Sequence, residues 1–103
     1  IHTHSAYSVL WSFVPAEREE DCIPAHTPYL KMKLGTVGLV PYEKPGLEAL
    51  FAAFRARVEA SDGFLLKQHG PVVPGKTVMD AFYCLGELEE SARIAWELYR
   101  AGM

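Results

Sequence analysis

The sequence predicts a layered α/β domain, and three observations point there. Segments with helical spacing alternate with short apolar runs of strand length, the pattern of packed mixed layers. Half of the 103 residues are hydrophobic and 22% are charged, which suits one core under a solvated surface. A chain of this size buries roughly two thirds of the surface its unfolded form exposes, enough for a single core. The same figures exclude disorder and fibrous repeats, and no apolar run approaches the roughly 18 residues of a membrane span.

The chain opens Ile1-His2-Thr3-His4, with neither a Met nor a basic apolar presequence, and reads as a strand entered partway along. Ser5 offers an N-cap, and Val9, Leu10 and Phe13 give helical spacing over 6–13 until Pro15 stops it. Glu17, Arg18, Glu19, Glu20 and Asp21 form a charged run, read as a solvated turn. Pro24 and Pro28 exclude a strand or helix interior there. Thr27-Pro28 then reads as an N-cap with proline at the first helical position, opening a short helix to Leu34 and Gly35.

Val37 to Pro41 is a short buried strand. Leu47 to Ala60 is amphipathic, with Leu47, Leu50, Phe51, Phe54 and Val58 on one face. Gly63 to His69 reads as a strand ending in a histidine. The turn Gly70-Pro71, a short strand Val72-Val73 and the turn Pro74-Gly75 follow. Thr77 to Arg100 is the longest helix, with Thr77 as N-cap, Asp80 three residues on, and Gly102 beyond the end. Its stripe of Ala81, Leu85, Leu88, Ala92, Ala95 and Leu98 is expected to pack on the sheet bearing His69.

The net charge of −3 comes from 10 basic and 13 acidic side chains, with no cluster of Lys and Arg. That excludes a nucleic-acid partner, whose phosphates need concentrated positive charge. Two cysteines, Cys22 and Cys84, are too few for a disulfide framework and read as free thiols of a cytoplasmic protein.

The chemistry lies in the histidines. On a strand, residues i and i+2 share a face about 6.5–7 Å apart, so His2 and His4 lean the same way. His69 stands beside Gly70, where the backbone turns freely. If the two strand ends are neighbours, three imidazoles converge, and three histidines with a fourth position open describe a catalytic divalent site. The plainer reading is three hydrogen-bonded or surface histidines, since a lone His-x-His is a weak signal.

A longer pattern strengthens the first reading. His2-Thr3-His4-Ser5, Ile23-Pro24-Ala25, Leu65-Leu66-Lys67-Gln68-His69-Gly70, Ala81-Phe82-Tyr83 and Glu87-Leu88-Glu89-Glu90-Ser91-Ala92 together resemble the class II aldolase/adducin family. The resemblance implies a layered α/β/α domain, with residues 1–103 as a single partial domain, the C-terminal half. In the fuculose-phosphate aldolase branch the matching histidines hold zinc. That implies zinc, or another divalent ion such as manganese or cobalt, on His2, His4 and His69. It also implies that Tyr29 is a proton donor reaching a neighbouring subunit's site, and hence a homotetramer. The family's catalytic glutamate and phosphate loop belong to an upstream half and have no counterpart here. Glu17, Glu19 and Glu20 fit a charged loop better than a substitute base.

The function implied is a metal-dependent carbon–carbon lyase cleaving a small phosphorylated sugar, such as a ketose 1-phosphate, through an enediolate. Thr27-Pro28-Tyr29, Leu39-Val40-Pro41-Tyr42 and Pro45-Gly46 are also similar to the family's sugar-acid branch. That makes a decarboxylase of a phosphorylated 3-oxo sugar acid the alternative, beside a non-catalytic truncated remnant. The opening His2-Thr3-His4-Ser5 also looks like that of the polymerase-and-histidinol-phosphatase phosphoesterases, but only His26 and His69 follow. The adducin branch lacks the histidine set.

Overall fold

The computed structural model describes residues 1–103. Its sheet is made from the three apolar runs. Val37–Val40 (β1) and Gly63–Leu66 (β2) are buried at every residue, as strands covered on both faces must be. They run parallel, with Val37 opposite Gly63 and Leu39 opposite Leu65. Gly70–Val72 (β3) returns antiparallel beside β2, giving the order β1-β2-β3. The first residues extend along the outer edge of β3. Ile1 N donates to Val73 O at 2.7 Å, Val73 N donates to Ile1 O at 2.8 Å, and His2 bridges Val72.

Side chains alternate across this sheet and sort into two cores. Val37, Leu39, Leu65 and Val73 join Trp11, Cys84, Leu88, Ala92 and Ala95 on one face. Val40, Phe64 and Leu66 join Leu50 on the other. The helices Ala6–Ser12 (α1), Tyr29–Lys33 (α2) and Val78–Arg100 (α4) contribute to the first core, and Glu48–Arg55 (α3) closes the second. The α/β/α layering expected from the sequence is therefore present. No helix is long and apolar enough to cross a membrane.

The long helix begins as expected, with Thr77 Oγ1 accepting from Asp80 N at 3.1 Å. Its buried stripe is Ala81, Cys84, Leu88, Ser91, Ala92 and Ala95, so Cys84 and Ser91 stand where Leu85 and Leu98 were expected. The small residues let α4 lie close over α1 and α2, and its buried residues share one core with those of the sheet. Both cysteines are free and buried, and burial pushes the Cys22 thiol up to about 12.

Four expectations need correction. Leu10 and Phe13 do not form the inner face of α1; they are exposed, and Ser8, Trp11 and Ser12 are buried instead. The polar pair is satisfied inside: Ser12 Oγ accepts from Gln68 N at 2.9 Å, and Trp11 Nε1 donates to Cys22 O at 2.8 Å. Pro28 takes the N-cap position of α2, so the helix begins one residue later, at Tyr29. The helix α3 ends at Arg55, and the chain continues in turns through Ala60, leaving Leu47, Phe51 and Val58 exposed. The charged run is more than a solvated turn. Leu39 N donates to Glu19 O at 2.7 Å and Cys22 N to Val37 O at 2.8 Å, which covers the free edge of β1.

Leu88 is fully enclosed where α4 meets the main core. Leu88→Asp buries a charge with no partner and is expected to cost on the order of 4 kcal/mol, abolishing cooperative thermal unfolding. Retention of the wild-type melting temperature would remove α4 from the core.

Candidate metal centre

Three backbone features bring the histidines together. The extended segment 1–4 puts the His2 and His4 rings on one side, with centroids 5.2 Å apart. His69 is not a strand residue as expected. It closes the turn Lys67–His69 between β2 and β3, where Gln68 holds a left-handed φ of 65°. Gly70 follows with φ of 143°; a β-carbon there would fall 2.1 Å from Thr3 O and 3.1 Å from the His4 Cα. Glycine alone lets the hairpin meet the first residues. The His69 ring then lies 4.7 Å from His2 and 4.9 Å from His4, centroid to centroid.

The nitrogens converge as well. One ring nitrogen from each of His2, His4 and His69 lies within 4.8 Å of the other two. His2 Nδ1 stands 2.8 Å from Pro71 O, and a carbonyl only accepts, so this nitrogen carries the proton and Nε2 offers its lone pair. His2 Nε2 faces His69 Nε2 at 3.1 Å. Two nitrogens 3.1 Å apart, each about 2.0–2.1 Å from one ion, subtend an angle of about 100° there. Ligation through Nε2 places the His69 proton on Nδ1, a buried atom with no hydrogen-bond partner. Desolvation, then the neighbouring His2 and His4, hold the His69 imidazole below its usual range. The neutral ring is the ligating form, so donor set and electrostatics fit a divalent ion.

The remaining sequence candidates lie elsewhere. Tyr29, the first residue of α2, is 59% exposed. His26 is exposed in the preceding loop. Glu19 pairs with Arg57 at 2.8 Å and Glu20 with Arg18 at 2.8 Å, and neither reaches the histidines. Sequence reasoning missed two supports: the Pro71 carbonyl behind His2, and Glu89. Glu89 Oε2 accepts from Tyr7 N at 3.0 Å, and Oε1 accepts from Ser8 N at 2.9 Å. The only signal for it was its place in the Glu87-Leu88-Glu89-Glu90 run.

Fold and centre define a layered α/β domain with three convergent imidazoles at one sheet edge. The chain belongs to the class II aldolase and adducin family: the model for the "Class II Aldolase and Adducin N-terminal domain" matches residues 1–96. Among its relatives, the 3-oxo-tetronate 4-phosphate decarboxylase of Cupriavidus necator is 37% identical over 94 residues, 91% of this chain and 43% of that protein. The L-fuculose phosphate aldolase of Methanocaldococcus jannaschii is 36% identical over 94 residues, 91% of this chain and 48% of that protein. The crystal structure of YgbL from Klebsiella pneumoniae superposes with a TM-score of 0.86 at 37% identity, over 94% of this chain and 47% of that one. The chain thus spans just under half the length of these relatives. Membership of this family sets aside the phosphoesterase likeness, which also needs further ligands that His26 does not supply.

Two outcomes test the centre. Gly70→Ala should separate the hairpin from Thr3 and lower cobalt affinity about tenfold or more, measured by titration of the visible absorption. For pH, the folded state disfavours protonated His69 relative to the unfolded chain. Its contribution to stability is therefore present above about pH 6.5 and lost as pH falls below it, and His69→Ala should flatten that dependence in urea melts.

Proposed function

We propose that this chain carries the metal-binding part of a carbon–carbon lyase for phosphorylated sugar acids, and that decarboxylation of a 3-oxo acid is its reaction. The observation that carries the reading is the convergence of His2, His4 and His69 on one point. These three would hold zinc, manganese or cobalt. The bound ion would supply Lewis-acid stabilisation of negative charge developing on substrate oxygens.

The two candidate reactions differ in their proton traffic. Retro-aldol cleavage begins with a base taking a hydroxyl proton. Loss of carbon dioxide needs no such base, because the breaking carbon–carbon bond leaves its electron pair behind as an enediolate. It needs only a proton afterwards. An exposed phenol, Tyr29 on α2, is the candidate donor of that proton. Similarity to decarboxylases of 3-oxo-tetronate 4-phosphate supports decarboxylation as the reaction. Cleavage of a ketose 1-phosphate is the second reading, supported by similarity to the fuculose phosphate aldolase.

The chain's own residues divide the work. His2 and His4 are exposed, so the ring cluster is open to an incoming acid. Pro71 O keeps the His2 ring in one tautomer. Tyr29, exposed on α2, acts as proton donor at the centre of a second copy, so the active form is a homo-oligomer.

The test is carbon dioxide release from 3-oxo-tetronate 4-phosphate, measured beside aldehyde release from L-fuculose 1-phosphate with zinc, cobalt or manganese. In a chain extended to the length of its relatives, carbon dioxide release should dominate, and His69→Ala should abolish it. Residues 1–103 alone should bind the ion and turn over poorly, since they lack the orienting half of the site. Tyr29→Phe should lower kcat about a hundredfold with little change in metal content. Faster aldol cleavage would transfer the assignment to the second reading.

A further inference from the structure

Only Ser5 separates His4 from the first turn of α1, and its hydroxyl does not cap that helix; it meets Thr3 Oγ1 at 2.6 Å instead. The cap arrives from 81 residues away. Glu89 Oε2 accepts from Tyr7 N at 3.0 Å, while Oε1 accepts from Ser8 N at 2.9 Å and from Ser8 Oγ at 2.6 Å. These are the second and third amides of the helix, the pair an N-cap side chain ordinarily serves. Three charge-assisted bonds to one carboxylate, two of them from the fully buried Ser8, form a rigid joint. Glu89 itself rides on the packed middle of α4, between Leu88 and the buried pair Ser91 and Ala92. Its neighbour Glu90 instead faces solvent and pairs with Arg93.

The joint matters because the three histidines are held unequally. His2 has the Pro71 carbonyl and the β3 edge. His69 is held within a hairpin turn. The His4 ring has no such hydrogen bond, and its direction is set by the backbone between the β3 edge and α1. We propose that Glu89 is a positioning residue for the histidine centre, holding the start of α1 so that His4 meets His2 and His69. This rests on the reading of the centre as a metal site.

Glu89→Gln keeps the size of the side chain, but its amide nitrogen cannot accept from an N–H. Cobalt affinity should fall about tenfold or more, as when other outer partners of ligands are lost. The cobalt absorption spectrum should move toward that of His4→Ala. In the metal-free chain the His4 ring proton resonance should shift while that of His2 stays. Leu50→Ala, on the opposite sheet face, serves as a destabilised control and should change neither spectrum nor resonance. A folded Glu89→Gln variant with wild-type spectrum and His4 resonance overturns the proposal, as does an equal change in Leu50→Ala. Should Glu89→Gln not fold, Ser8→Ala deletes one of the three bonds and should give smaller changes of the same sign; an unmoved His4 resonance there overturns it as well. A wild-type chain that takes up no cobalt defeats the metal reading alone, and the metal-free resonances still decide the role of Glu89.

Discussion

Gly70 and the carbonyl of Thr3 approach so closely that a single added carbon would lie 2.1 Å from the oxygen. The geometry of the histidine end follows from that approach. It lets the opening residues pair with the β3 edge, and the pairing aims His2 Nδ1 at Pro71 O. The same approach places His69, one residue earlier, against both other rings. Metal sites tolerate only a few tenths of an ångström in ligand distance. A separation of one methyl group between the hairpin and residues 1–4 would therefore exceed what an ion could bridge. Sheet pairing and candidate site are here the same contact.

The two sheet faces are not equally secured. The face beneath α1, α2 and α4 gathers 12 buried core residues, and the face beneath α3 gathers four. The Phe54 ring against Phe64, at 4.9 Å, is a large part of what holds α3 down. Local opening follows the density of buried apolar contact, so α3 belongs to the least stable part of the fold. The histidine end is joined to the stronger core through α1 and Glu89.

Much of this was legible in the chain, for reasons that differ by element. β1 is a continuous apolar run, and the capping residue and stripe of α4 are local patterns, so both were placed within a residue or so; β2 begins where expected but ends at Leu66, three residues before His69. The face of α1 was misjudged because apolar spacing was trusted. Its buried positions include Ser8 and Ser12, whose partners, Glu89 and Gln68, are 81 and 56 residues away. Long-range satisfaction of buried hydroxyls leaves no periodic trace. The extent of α3 was overread for a related reason: Phe51 and Val58 are apolar but face outward. The candidate site was legible as residue types and order, and its convergence was only a condition on two segments being neighbours. The Gly70 contact meets that condition, and nothing local to either segment announces it.

Three imidazoles also carry an electrostatic consequence that other ligand sets do not. Carboxylate or thiolate ligands would each bring a negative charge and offset that of a divalent ion. Neutral histidines leave its charge whole and facing the open side of the cluster. Desolvation, and then the neighbouring His2 and His4, disfavour a proton on His69. On the proposed assignment, the centre is strongest as a Lewis acid where all three rings are deprotonated. The proposed substrate class fits this polarity. A phosphorylated 3-oxo acid arrives with negative charge and develops more on its carbonyl oxygen as carbon dioxide leaves. An undiminished positive centre stabilises that change more than it stabilises the ground state, which is the condition for a faster chemical step.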